Sequence, residues 1–254
     1  ILLILSTIIT GLSSNKLNNF YSGVISTSLV FISLLISLVI LFDIYSNEKI
    51  IYYDNFYDWI SVGGFNIGIG YLIDKFSSIM LVVVLSISSI VHLYSIDYMK
   101  EEKDFKRFFS YIALFTFSMV LLVISNNLIQ LFIGWEGVGL VSYLLIGFFY
   151  KKQSAIKANL KAFLINRIGD MFFILGIAMV YAVFDSFDYK TIFGSINITN
   201  ISTLDHYFGL DYIDFACLFL FFGAMAKSAQ IPLHVWLPDS MEGPTPISAL
   251  IHAA

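Results

Sequence analysis

The sequence predicts an all-α polytopic membrane protein carrying one extramembrane β-hairpin, and three observations carry that prediction. Hydrophobic residues make up 58% of the 254 and charged residues only 13%, about half the charge density of a soluble domain, too little to cover a surface facing water on all sides. Apolar stretches recur at the length a bilayer demands, about 20 residues per helix. Lysine and arginine alternate from one intervening loop to the next, the mark of a membrane protein with one basic face.

Six or seven stretches qualify as spans: 1–12, which is short, 24–43, 75–95, 108–125, 128–149, 168–184 and 212–230. Lys49 to Asp74 differs, because Ile, Tyr, Phe and Val alternate with Asp, Asn and Gly around Gly63-Gly64, a strand and turn pattern. It is expected on the face opposite the basic loops, docked on a neighbouring subunit, since two strands alone cannot bury their apolar residues. Asp185 to Asp211, rich in Ser, Thr and Asn with one Lys, reads as a surface loop, and Pro244–Ala254 starts helix-like and stops. The basic loops hold Lys16, then Lys100, Lys103, Lys106 and Arg107, then Lys151, Lys152, Lys157 and Lys161; the loops between hold Lys49 and Lys190. The basic face is assigned to the cytoplasm or matrix. Two parts are expected, 1–74 with the first helices and the hairpin, and 75–254 with the rest.

Net charge is −4 without a basic block, which argues against nucleic acid as a partner. The single Cys217 allows neither an internal disulfide nor a multi-thiolate metal site such as a zinc ribbon or iron–sulfur cluster, and no metal is expected. No glycine-rich phosphate loop or nucleophile constellation is present. Twelve of the fourteen basic residues are Lys, beside abundant Phe, Tyr, Ile and Asn, as in an AT-rich, organelle-like genome. Ile1–Leu12 lacks the basic leader and small-residue cleavage site of a secretory signal, so integration from the compartment of synthesis is expected.

Ionisable side chains inside spans cost roughly 2.5–3.5 kcal/mol on insertion scales, so each needs a partner, a wet cavity or a task. Glu136 lies among glycines in Gly134-Trp135-Glu136-Gly137-Val138-Gly139, where missing side chains let a helix or water approach the carboxylate. Lys227 is the only basic residue from Asp211 to Ala254. Two isolated charges each bear the full cost whereas a pair shares it, so Glu136 and Lys227 are expected to form one coupled site. Arg167 and Asp170 are three apart and share a helix face, which suits a salt bridge anchoring the start of the sixth span as well as a functional role.

Backbone supplies the last signal. Pro232 lacks an N–H and clashes with the preceding turn, so the helix beginning near Tyr212 should break there and deprive the Ser228 carbonyl of its partner. Broken backbone at membrane depth is tolerated only in protein or beside a wet cavity. His234 lies seven residues from Lys227, nearly the same helix face, and His252 sits in the final apolar segment; each is a core histidine or a member of a proton relay with Glu136 and Lys227. His92, near the basic end of the third span, is expected at the interface.

The strings Gly134-Trp135-Glu136-Gly137-Val138-Gly139-Leu140, Asn166-Arg167-Ile168-Gly169-Asp170 and Lys227 through Ala254, with Ser61–Gly68 and Tyr94–Met99, closely resemble the antiporter-like subunit 5 family of respiratory complex I. The wider family includes Mrp-type cation/proton antiporters and membrane-bound hydrogenases. The resemblance covers nearly the whole chain. It implies two inverted five-helix repeats with a broken helix in each, of which this chain carries the first, and a proton-pumping role with Glu136 as the essential glutamate, Lys227 as its partner, His252 on the hydrophilic axis and Arg167 and Asp170 in the sixth-helix motif. It also implies no cofactor on this chain, flavin, iron–sulfur clusters and ubiquinone being expected on other subunits. The partners implied are other complex I membrane-arm subunits and membrane lipids, and the location is the mitochondrial inner membrane, with the bacterial plasma membrane as the alternative. The family continues past His252-Ala253-Ala254 into a second repeat, so a separate chain carrying that half is expected.

Overall fold

The computed structural model describes residues 1–12, 18–47, 51–62, 65–195 and 211–253. Lys16, Lys49, the Gly63-Gly64 turn, Ala254 and residues 196–210 of the expected surface loop lie outside the described residues. Among the described residues nine α-helices and one hairpin follow in order: α1 (Leu2–Leu12), α2 (Asn19–Ser46), β1 (Tyr52–Val62), β2 (Phe65–Ile73), α3 (Lys75–Tyr98), α4 (Phe105–Val123), α5 (Leu128–Ile146), α6 (Gln153–Phe184), α7 (Tyr189–Ser195), α8 (Tyr212–Lys227) and α9 (Thr245–Ala253). Five of these, α2 to α6, are long and apolar enough to cross a membrane. α8 has 16 residues, about 24 Å of rise against a hydrocarbon core of about 30 Å.

Local chemistry starts the helices at the hairpin end. Asp74 accepts from the Ser77 amide at 2.8 Å while Ser77 Oγ accepts from the Asp74 amide at 2.7 Å, a reciprocal cap that opens α3 directly after β2. Asn127 accepts from the Gln130 amide at 2.8 Å and opens α5 after a four-residue turn. Such caps satisfy amide donors that the first helical turn would leave bare.

The strands pair antiparallel from Tyr52↔Ile73 to Val62↔Phe65, with register shifts at Asn55/Tyr57 and Asp58/Ile60. β2 docks on its own chain: the Leu72 amide donates to the Ile124 carbonyl at 2.9 Å, and Gln130 bonds both the amide and the carbonyl of Gly70, at 3.0 and 2.8 Å. The expected neighbouring subunit is therefore not the first surface the hairpin meets. β1 turns Phe56, Tyr57, Trp59 and Val62 outward. The hairpin, the α4–α5 turn and α7 share one end of the bundle, where Tyr53 Oη donates to Asp188 at 2.8 Å. Lys100–Arg107 and Lys151–Lys161 gather at the other end, where Arg107 donates to the Phe148 carbonyl at 3.1 Å and Lys161 pairs with Asp239 at 2.7 Å. The opposition of hairpin and basic loops thus holds.

Three features bear on the site and differ from the sequence reading. α6 begins at Gln153 rather than 168, placing Lys157, Lys161 and Arg167 on the helix itself. Part of the expected surface loop, Tyr189–Ser195, is helical. His92 is fully buried rather than interfacial, bonded through Nδ1 to the Ser88 carbonyl at 2.8 Å and edge-on to Phe109, because α3 turns that face toward α4.

The main core lies between α4, α5 and α9, where Phe105, Phe108, Phe109, Ile112 and Phe115 meet Leu145, Ile247 and Leu250. At the α6–α8 crossing the contacts are small: Gly169 faces Ala226 and Gly223 faces Phe173. With no hydrophobic drive between helices in lipid, close approach through small residues is what holds such a pair.

Candidate functional site: a charge cluster beside a broken helix

α8 ends at Lys227, five residues before Pro232. Ala229 takes a left-handed φ of 52°, its amide bonds Ala226 at 3.2 Å and the Gln230 amide reaches back to Met225 at 3.0 Å, the paired bonds of a Schellman stop. Alanine rather than glycine holds the left-handed position, at a cost of about 1–2 kcal/mol, so nothing in the composition flags it. The break is thus real but its cause precedes the proline, and Ser228 is a cap residue.

The early stop sets Lys227 at the rim of a cavity of about 840 Å³. Its Nζ donates to the carbonyl of Trp135 at 3.3 Å and lies 5.5 Å from the centroid of the Trp135 ring. This is possible because α5 has glycine at 139: a Cβ there would stand 2.5 Å from that Nζ. The other α5 glycines serve α4, Gly134 against the Leu122 backbone and Gly137 against Ser118, so the glycines admit a lysine and a helix rather than opening a path to Glu136.

Glu136 pairs with Arg167 of α6 at 2.5 Å. Asp170, buried at 4% exposure, accepts from the indole N–H of Trp135 at 2.7 Å. The alternative of a local Arg167–Asp170 salt bridge is overturned, since both residues stand mid-helix and reach across to α5. Glu136 and Lys227 make no direct ion pair among the described residues. Trp135 bonds both Lys227 and Asp170, and Arg167 bonds Glu136. The expected pair is a cluster of four.

His252 reaches the same cavity from α9 and shares a hydrogen bond of 3.1 Å with Ser240 Oγ. His234 does not. With α8 stopped at Lys227 the seven-residue helical phase is lost, and His234 is exposed in the turn while Trp236 packs inward, donating from Nε1 to the Ala226 carbonyl at 3.0 Å. Sequence reasoning missed Trp135, whose signal was its place beside Glu136, and Asn166, whose Oδ1 is buried without a hydrogen-bond partner among the described residues and which lines the cavity; an amide inside an apolar helix was the available clue. Among the described residues no three His, Cys, Asp or Glu converge as metal ligands would.

A bundle of apolar helices with a charge cluster at the foot of an interrupted helix defines a polytopic membrane protein. Residues 125–254 match the model for "NADH:quinone oxidoreductase/Mrp antiporter, TM", and residues 59–109 match that for "NADH-Ubiquinone oxidoreductase (complex I), chain 5 N-terminus". The first match takes in more than half of the chain, and the chain belongs to that NADH:quinone oxidoreductase/Mrp antiporter transmembrane family. It is 50% identical over 252 residues to the NADH-quinone oxidoreductase subunit L of Neisseria meningitidis, covering 98% of this chain and 37% of that protein. It is 46% identical over 253 residues to the NADH-ubiquinone oxidoreductase chain 5 of Phytophthora infestans, covering 98% and 38%. The solved Mrp complex from Dietzia sp. superposes with a TM-score of 0.81 over 100% of this chain and 26% of that one, at 22% identity, a likeness of fold. The chain thus spans well under half the length of the curated relatives it matches.

Proposed function

We propose that this chain forms the first part of a proton-translocating membrane-arm subunit of an NADH:quinone oxidoreductase. One observation carries the reading: Glu136, Arg167, Asp170 and Lys227 converge in the bundle, and from Lys227 a cavity leads to His252. Ion pairs inside a bilayer are costly to retain, and four charges with more than one way to pair can pass a proton by re-pairing. In this reading Glu136 and Lys227 exchange charge through the cluster, Arg167 and Asp170 bias which partner each takes, and His252 takes the proton onward through the cavity. His234 has no part in it. The redox chemistry belongs to flavin, iron–sulfur clusters and ubiquinone on other subunits, and this chain converts energy delivered from them.

The other membrane-arm subunits and membrane lipids are the partners this reading calls for, in the mitochondrial inner membrane. An Mrp-type sodium/proton antiporter or membrane-bound hydrogenase subunit is the second reading, supported by the shared family description; co-purification with flavin and iron–sulfur subunits favours the first. For the relay itself, Lys227→Ala and Glu136→Gln in the full-length subunit, assembled and reconstituted in liposomes, should abolish the proton pumping due to this subunit while assembly is kept. Unchanged pumping in both overturns it.

A further inference from the structure

Lys227 stands between two carboxylates yet bonds neither. What keeps lysine and aspartate apart is a single residue. The Trp135 indole N–H holds Asp170 Oδ1 at 2.7 Å, and the Trp135 carbonyl takes Lys227 Nζ at 3.3 Å with its ring 5.5 Å away. The ring is clamped flat on Phe173, centroids 4.6 Å apart and planes within 11°, and Phe173 lies one turn along α6 from Asp170. A hydrogen bond from a neutral N–H to a buried carboxylate is of the strong, charge-assisted kind; among the described residues it is the one side-chain donor on Asp170.

We propose that Trp135 is a positioning residue that divides Lys227 between Asp170 and Glu136: its indole N–H occupies Asp170, and its carbonyl and ring face hold the ammonium short of both. A tilt of the ring releases Asp170 and changes the hold on Lys227 in one movement, so the two charges re-pair together rather than independently. The inference rests on the proton-translocation reading above and deepens it by naming what sets the pairing at that site.

The test is a double-mutant cycle in the full-length subunit within the assembled, reconstituted complex. Trp135→Phe keeps the stack on Phe173 and a ring face for Lys227 and removes the donor to Asp170; pumping per turnover should fall roughly tenfold, toward the lower end of what one hydrogen bond to a charged group is worth. Asp170→Leu removes the acceptor, and adding Trp135→Phe to it should cost nothing more. A ring acting only through packing gives losses that multiply, and that outcome, or unchanged pumping in Trp135→Phe, overturns the proposal. If Trp135→Phe does not assemble, benzothienylalanine at 135 keeps the indole's shape without its N–H and is read the same way. If Asp170→Leu leaves too little pumping to divide, the carboxylate infrared band lost in that variant supplies the readout: it should shift in Trp135→Phe, and a fixed band rejects the bond. Full pumping in both Glu136→Gln and Lys227→Ala would instead reject the translocation reading itself, so the two failures are distinguishable.

Discussion

The hairpin junction and the charge cluster are both polar contacts within one apolar bundle, and they are built on opposite plans. At the junction the partners are neutral amides matched one to one: Gln130 spends both ends of its side chain on Gly70, Asn127 donates to the Gly68 carbonyl at 2.8 Å and Asn126 donates to Asn55 Oδ1 at 2.5 Å. Each donor has its acceptor. In the cluster two carboxylates and two cations are shared among α5, α6 and α8, and Lys227 rests on a peptide carbonyl rather than on a carboxylate. A saturated neutral network fixes one geometry. An ion cluster with spare pairings has several of similar energy, which is the property a switching element requires. The junction should therefore answer to mutation in stability, and the cluster in activity.

The largest effect on stability is expected at Gly70. A Cβ there would run into the Asp54 carbonyl oxygen and the Asn126 amide, and backbone cannot give way as a flexible side chain can. Gly70→Val should cost about 3 kcal/mol or more, the range of overpacking combined with a broken buried network, read as a lower unfolding midpoint of the purified protein in detergent. A Gly70→Val protein as stable as wild type would remove the claim that the junction is rigid. The complementary change is Gly139→Ala, where the added methyl meets only the far end of Lys227. The ammonium must leave the Trp135 carbonyl, so pumping should fall about tenfold while the midpoint moves by less than about 0.5 kcal/mol. Equal loss of stability at the two glycines would erase the distinction between the regions.

What the sequence made legible follows the same division. Spans, hairpin and polarity could be read because they rest on local or periodic signals: apolar runs of bilayer length, alternation in β1, lysines sorted by loop. Glu136, Lys227 and His252 stood out because charge in an apolar run is conspicuous. Their partners did not. Arg167 and Asp170 are adjacent on α6, and proximity in sequence suggested that they pair with each other, whereas α6 starts 15 residues earlier than its apolar stretch implied and carries both to the face of α5. His234 was assigned a helix phase that the stop at Ala229 cancels, and that stop is made by backbone bonds to Ala226 and Met225 with no glycine to announce it. Contacts across helices depend on the packing of distant segments, which one sequence does not display.

The smallest effect expected lies at the outer edge of the junction and concerns pH. Burial first, and then the hydrogen bond that Tyr53 donates to Asp188, push the Tyr53 hydroxyl up to about 12 from its usual value of 10.0; burial does the same to Tyr189, also to about 12. A phenol whose folded value is raised contributes stability that is whole below the unfolded value and is lost as pH rises through the folded one. The hairpin junction should accordingly hold unchanged to about pH 10 and weaken between pH 10 and 12. Tyr53→Phe removes one of the two phenols, and with it the hydrogen bond to Asp188 that ties β1 to the start of α7. The variant should be slightly less stable than wild type at neutral pH, by about 1 kcal/mol for one part-exposed hydrogen bond, and the two should converge as the pH approaches 12. Thermal midpoints of both proteins measured across that interval decide it. A gap that stays constant from neutrality to pH 12 would show that Tyr53 keeps its proton in the unfolded chain as long as in the folded one, and would take the junction's alkaline weakening away from this contact.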